Sequence, residues 1–264
     1  MSLPELIAAA GRLVALFVGL YVFVCVFAHY YGQRTIFRHV PPNYSLGPDY
    51  LELPAPDGVT LAARYWPNPE AKFTVLYFHG NGEELGGVSS YIAGYVRAGF
   101  AVFAYDYRGY GHSGGVPSES ASYADAKLAL DWLRDNGTPP ERVIAYGYSL
   151  GSGSAVELAR TAPLAGLILE SAFVSAYRVM TRRPLLLGDK FQNERKMPEV
   201  WCPVLLLHGT ADTVIPPWHS EALFAVANEP KRLLIVPGAG HGGVEATLGD
   251  RFAATLQEFA ATLR

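Results

Sequence analysis

Residues 143–155, VIAYGYSLGSGSA, decide how the rest of this 264-residue chain is read. The apolar run Val143–Tyr148 reads as a buried strand. Gly147-Tyr148-Ser149-Leu150-Gly151 matches G-x-S-x-G, and Ser152-Gly153-Ser154-Ala155 opens a small-residue helix. A serine at such a strand-to-helix turn has its hydroxyl lifted above the sheet edge, and the glycines let helix and strand backbones pass closely. Ser149 is therefore the candidate nucleophile, set against a merely structural tight turn. A second match, Gly111-His112-Ser113-Gly114-Gly115, follows the loop Asp106–Tyr110 and runs into Val116-Pro117 without opening a helix. It reads as a glycine-rich loop.

Outward from that strand, short apolar runs alternate with longer amphipathic ones. Strands are expected at 51–54, 59–65, 73–78, 100–105, 164–169, 204–207 and 232–236. The first two form a hairpin around Asp57-Gly58. Helices are expected at 88–98, 123–134, 150–162, 219–227 and 244–263. This β-α alternation predicts an α/β fold with a mostly parallel sheet and helices on both faces. Residues 171–199 lack a clean period and read as a short cap, about 30 residues long.

A serine hydroxyl needs a base, and the base needs an acid that fixes its tautomer. Behind a nucleophile of this kind the chain order is Ser, then Asp or Glu, then His. Of seven histidines only His241 follows the last strand, in the flexible loop Gly238–Gly243. Asp212 lies just past the strand at 204–207, where open α/β sheets place their sites. Glu170, ending the preceding strand, is the runner-up, and Asp106 reads as a loop anchor. His208 reads as pinning its own loop. The developing oxyanion needs N–H donors. Leu150, next after the nucleophile, supplies one, and Asn81 in His79-Gly80-Asn81-Gly82 the other, with Gly82 second. Glu83 and Glu84 resemble half a metal site without further ligands and read as a solvated helix start, so no metal is expected.

The composition narrows the partners. With 21 basic and 24 acidic residues, net charge −3, the chain has no polybasic footprint for nucleic acid. Two cysteines, Cys25 and Cys202, make neither a disulfide framework nor a thiolate zinc site. A mean hydropathy of +0.14 is high for a soluble enzyme. Its source is residues 13–33, LVALFVGLYVFVCVFAHYYGQ, a run without Lys, Arg, Asp or Glu. As a helix it spans about 30 Å, the thickness of the hydrocarbon core, with Tyr30 and Tyr31 at its edge. One rival is a cleaved signal peptide, but the run is long for one and exits at Ala28-His29-Tyr30-Tyr31, a poor cleavage site. A second is a buried soluble helix, but one apolar all round is unusual at a chain terminus. The expected organisation is a membrane anchor (1–38), a Pro-rich linker (39–48) with few packed contacts, and a catalytic domain (49–264). Arg12 on one side and Arg34 and Arg38 on the other leave the side of the membrane open.

Five segments, YFHGNGE (77–83), FAYDYRGYGHSGG (103–115), AYGYSLGSGSA (145–155), CPVLLLHGTADTVIP (202–216) and VPGAGHGG (236–243), together resemble the α/β-hydrolase-fold serine hydrolases. The likeness covers about residues 45–264 and is closest to the membrane-anchored branch with protein depalmitoylases and lysophospholipase-like esterases. It implies a triad on Ser149, Asp212 and His241, an oxyanion hole on Asn81 and Leu150, no cofactor, and an acyl ester or thioester substrate. Gly82 departs from it, since relatives often carry alanine there. Two alternatives share the fold: a serine peptidase of the aminopeptidase or prolyl-oligopeptidase type, and a catalytically silent binding protein.

Overall fold

The computed structural model describes residues 2–264. Helix α1 (Leu3–Ile36) precedes the hairpin β1 (Tyr50–Pro54) and β2 (Thr60–Trp66). Then come β3 (Thr74–Phe78), α2 (Leu85–Arg97), β4 (Ala101–Tyr105), α3 (Glu119–Asp135), β5 (Val143–Tyr148) and α4 (Ser152–Thr161). The second half holds β6 (Gly166–Glu170), the four-residue helices α5 (Arg178–Thr181) and α6 (Asn193–Lys196), β7 (Val204–Gly209) and α7 (Trp218–Val226). β8 (Lys231–Val236), α8 (Val244–Leu248) and α9 (Asp250–Ala261) close the chain.

The sheet order is β1-β2-β4-β3-β5-β6-β7-β8. β1 and β2 are antiparallel to their neighbours, and every pairing from β4 to β8 is parallel. The hairpin turns where expected, at Gly58 with φ +84°. β3, β4, β6 and β7 are buried at every position, which is why their sequences are continuous apolar runs rather than alternating ones. Leu130 of α3, Val156 of α4 and Leu223 of α7 cover one face. Ile92 of α2 and Phe252 and Phe259 of α9 cover the other. Each such fully buried side chain contributes roughly 1.5–3 kcal/mol relative to exposure. All loops that carry candidate site residues leave the C-terminal ends of the parallel strands.

Three features differ from the sequence expectation. The closing helix is broken in two, because Gly249 adopts φ +54°, which a helix cannot propagate. Glu84 is not solvated: it is buried and caps α2, accepting the N–H groups of Gly86 and Gly87. The expected linker, residues 39–48, is not loosely packed, and neither is Phe37 just before it. Phe37 is buried in the core, 5.8 Å edge-to-face from Phe191. Val40 bridges to Tyr110, the His39 imidazole bonds Gly109 O at 2.7 Å, and Tyr44 stacks on Tyr50 and donates to Asp106. This stretch straps α1 to the domain; local composition rich in proline does not reveal such long-range packing.

Candidate active site

The turn at Ser149 is sterically determined. Ser149 has φ +50°, a region that side chains other than glycine rarely occupy. A Cβ on Gly147 would lie 2.7 Å from Ser152 Cα, and one on Gly151 would lie 2.1 Å from the Phe78 carbonyl oxygen. Only glycine lets α4 start this close to β5 and β3.

Ser149 Oγ faces His241 Nε2 at 3.0 Å, and His241 Nδ1 faces Asp212 Oδ2 at 2.8 Å. These partners define the tautomer: Nδ1–H donates to the carboxylate, and the Nε2 lone pair accepts from the serine hydroxyl. Asp212 Oδ1 accepts the N–H groups of Val214 and Ile215 at 2.9 and 2.8 Å, so the carboxyl plane is held and Oδ2 is left for the imidazole. Burial pushes the Asp212 carboxyl up, but hydrogen bonds from His208 and His241 and from Ile215 N–H outweigh it. The net result is a carboxyl well below the ordinary range, ionised at neutral pH.

The loop bearing His241 is seated on the end of β7. Ala211 N–H donates to Ala239 O at 2.9 Å and Gly238 N–H to Thr210 Oγ1 at 2.8 Å. A Cβ on Gly209 would lie 2.1 Å from Ala239 O, so the two backbones touch. Tyr148 wedges between this loop and the one after β3. Its ring centroid is 5.3 Å from that of His241, and a Cβ on Gly80 or Gly242 would meet it at 2.7 or 2.6 Å.

After β3, Gly80 N–H donates to Glu83 Oε2 at 2.7 Å. Asn81 Oδ1 accepts from Arg38 N–H at 3.0 Å and from the Tyr110 hydroxyl at 2.8 Å. Among the described residues nothing accepts from the backbone N–H of Asn81, which leaves it available as a donor. Leu150 begins the turn into α4 beside Ser149.

The other sequence candidates are occupied elsewhere. Ser113 is buried, donating to Asp106 O at 2.7 Å and accepting from Ala62 N–H at 2.9 Å. Asp106 accepts the N–H groups of Leu85 and His112, an anchor for its loop as expected. A Cβ on Gly111 would lie 1.7 Å from its carboxyl, which explains that glycine. Glu170 takes the Tyr146 hydroxyl at 2.5 Å instead of His241 Nδ1. Burial, only partly offset by that hydrogen bond, pushes its carboxyl up to about 7. His208, besides pinning its loop through Ser220 and Ile215, lies 3.3 Å from Asp212 Oδ2. Sequence reading placed the pin but not the second contact. It also missed Tyr148, whose position beside the nucleophile was its only signal. A cleft of about 110 Å³ lies behind His241, between Tyr77, Tyr148, Glu83, Glu170 and Glu245. Among the described residues no cluster of three or more His, Cys, Asp or Glu side chains is arranged to hold a metal ion.

Comparison with known proteins agrees with this architecture. Residues 69–193 match a family described as serine aminopeptidase, S33. The chain is 41% identical over 197 residues to α/β-hydrolase domain-containing protein 17B of Xenopus laevis, covering 73% of this chain and 68% of that one. The human protein of the same name is 40% identical over 196 residues, covering 73% and 67%. An esterase from Pyrococcus furiosus superposes with a TM-score of 0.72 at 18% identity, over 86% of this chain and 97% of that one. A parallel sheet with a strand–serine–helix turn and a downstream acid and histidine defines the class, and the chain belongs to the α/β-hydrolase family. It is a hydrolase of that family.

Proposed function

We propose that the protein is a membrane-anchored serine hydrolase that cleaves carboxylic ester or thioester bonds of acyl or lipid-type substrates. Ser149 Oγ attacks the carbonyl carbon as His241 Nε2 takes its proton. The tetrahedral oxyanion is held by the N–H groups of Leu150 and Asn81. His241 then returns the proton to the leaving alcohol or thiol, leaving an acyl-Ser149, which water hydrolyses with His241 again as base. Asp212 orients the imidazole and stabilises its cation. The observation that carries this reading is the unbroken relay from Ser149 to His241 to Asp212, at 3.0 and 2.8 Å.

The apolar stretch Leu3–Gly32 supports an anchor: at 30 residues it is long enough to cross a bilayer, and almost none of it is buried in the protein. An enzyme held at a membrane meets acyl chains there.

The matched family description supports a second reading, a serine aminopeptidase, in which the acidic cleft behind His241 would face a substrate amine. One panel separates the two. The purified full chain is offered p-nitrophenyl esters of graded length, a palmitoyl thioester, lysophospholipids and aminoacyl amides, with fluorophosphonate labelling of Ser149. Turnover confined to the amides would overturn the ester reading. No labelling and no turnover would overturn both and leave a silent binding protein.

A further inference from the structure

We propose that the cap loop Arg182–Gly188 enters the lipid leaflet alongside α1, so that the protein grips the bilayer with two elements. The inference rests on the reading of α1 as a membrane anchor and adds to it a second insertion that the anchor does not require.

One stripe of α1 is covered by the cap. Tyr21, Cys25, Ala28 and Gly32 are spaced by four, three and four residues and share a helix face. The Tyr21 hydroxyl donates to Leu185 O at 3.0 Å. Cys25 is buried, although its neighbours along the helix are exposed. The Tyr177 hydroxyl donates to Ala28 O at 2.9 Å, and a Cβ on Gly32 would lie 2.9 Å from that hydroxyl. A Cβ on Gly188 would sit 3.4 Å from His29 Nδ1. The loop therefore runs down the last three turns of the apolar stretch.

Depth follows from helix geometry. Tyr30 marks the interface on this side, and Tyr21 lies nine residues deeper, about 14 Å along the axis. A tilt of about 40° reduces that to about 10 Å, still inside a half-bilayer of about 15 Å. A loop bonded to Tyr21 is at the same depth.

The loop is built for such an environment. Pro184-Leu185-Leu186-Leu187-Gly188 carries no charge, and Leu185 and Leu187 are 57% and 67% exposed. Part of its polar backbone is removed or paired, which lowers the cost of leaving water. Pro184 has no N–H, Leu185 N–H donates to Arg183 O at 2.8 Å, and Leu185 O takes Tyr21. The exposed Arg182 and Arg183 flank the leucines, where long basic side chains reach back to headgroup phosphates. Phe191, just beyond the loop, packs against Phe37 at the foot of α1 and against Gly153 of α4. Both insertions thus converge on the helix that follows Ser149.

The test uses the full chain with Cys25→Ala and Cys202→Ser and one introduced thiol: Leu187→Cys, Val18→Cys on α1, or Trp201→Cys on the exposed far side of the sheet. Each is labelled with an environment-sensitive NBD fluorophore in phosphatidylcholine–phosphatidylserine vesicles carrying doxyl-labelled acyl chains. Matching thermal melting curves establish that each variant is folded. The expected result is several-fold quenching by the acyl-chain nitroxide at 187 and 18 but not at 201, with 187 shielded from aqueous iodide. Quenching at 18 with 187 behaving like 201 overturns the proposal and leaves the anchor standing. No quenching at 18 overturns the anchor reading and the insertion with it.

Discussion

His208 and His241 share one carboxylate oxygen: their ring nitrogens lie 3.3 and 2.8 Å from Asp212 Oδ2. Only His241 reaches Ser149; His208 stands behind, fully buried, and restrains the acid. His208→Gln should remove the imidazole whose approach to Oδ2 helps hold the Asp212 carboxyl down. A carboxyl with a depressed folded pKa contributes stability above its unfolded pKa and loses it as pH falls through the folded one. The variant should therefore unfold at higher pH during acid titration, followed by circular dichroism, and lose about tenfold in kcat with KM nearly unchanged. An unmoved acid transition would mean that His208 only pins its loop.

Ser149→Ala should abolish ester turnover and fluorophosphonate labelling, since the acyl-enzyme cannot form. Ser113→Ala should keep most activity. It should lower stability by about 1–3 kcal/mol, because the Ala62 N–H loses its buried acceptor. Urea melts and initial rates on both variants separate the two effects.

Asp212→Asn preserves shape but favours the wrong imidazole tautomer, and kcat should fall by roughly 10⁴. Glu170→Gln should cost less than about tenfold, its partner being Tyr146. A larger loss in the Glu170 variant than in the Asp212 variant would exchange their roles.

Glu170 has a raised pKa, about 7 in the fold. Its neutral form is the one the fold prefers. The stability it contributes is present below an unfolded value of about 4.3 and lost as pH rises through about 7. Glu170→Gln, which stays neutral, should gain on the parent by about 2–4 kcal/mol between pH 4 and pH 8. Urea midpoints at four pH values measure the difference; parallel curves would contradict the shift.

Removal of the proposed anchor must respect Phe37. Deleting residues 1–35 should leave a domain that hydrolyses short soluble esters and loses rate on acyl chains in liposomes. Extending the deletion through residue 38 removes a buried aromatic, about 3–5 kcal/mol by the cost of Phe→Ala changes. It also takes away the Arg38 N–H that Asn81 Oδ1 accepts. The longer deletion should melt lower and turn over more slowly, which differential scanning fluorimetry and rate assays will show.

Much of this arrangement is legible in the sequence. The strands at β3–β7 announce themselves because burial on both faces leaves no polar alternation to confuse them. The Ser149 turn is legible because its glycines answer a local steric demand. Glu84, Tyr148, Phe37 and the second contact of His208 are not legible, since each depends on a partner distant in the chain or on a space closed only by the fold. The break at Gly249 was visible as a glycine, but glycine within a helical pattern does not say by itself that it will take a positive φ.

Gly151 rests against the carbonyl of Phe78, the residue that leads into His79-Gly80-Asn81. The turn carrying the proposed nucleophile and the loop carrying the second proposed oxyanion donor are thus spaced by bare backbone contact, with no side chain between them to resize. Variation among descendants of this scaffold has little room there, because one added methyl would pry the two apart. Divergence toward new acyl groups or leaving groups is channelled into the exposed cap positions within 171–199, such as Met180, whose side chains stand clear of that spacing.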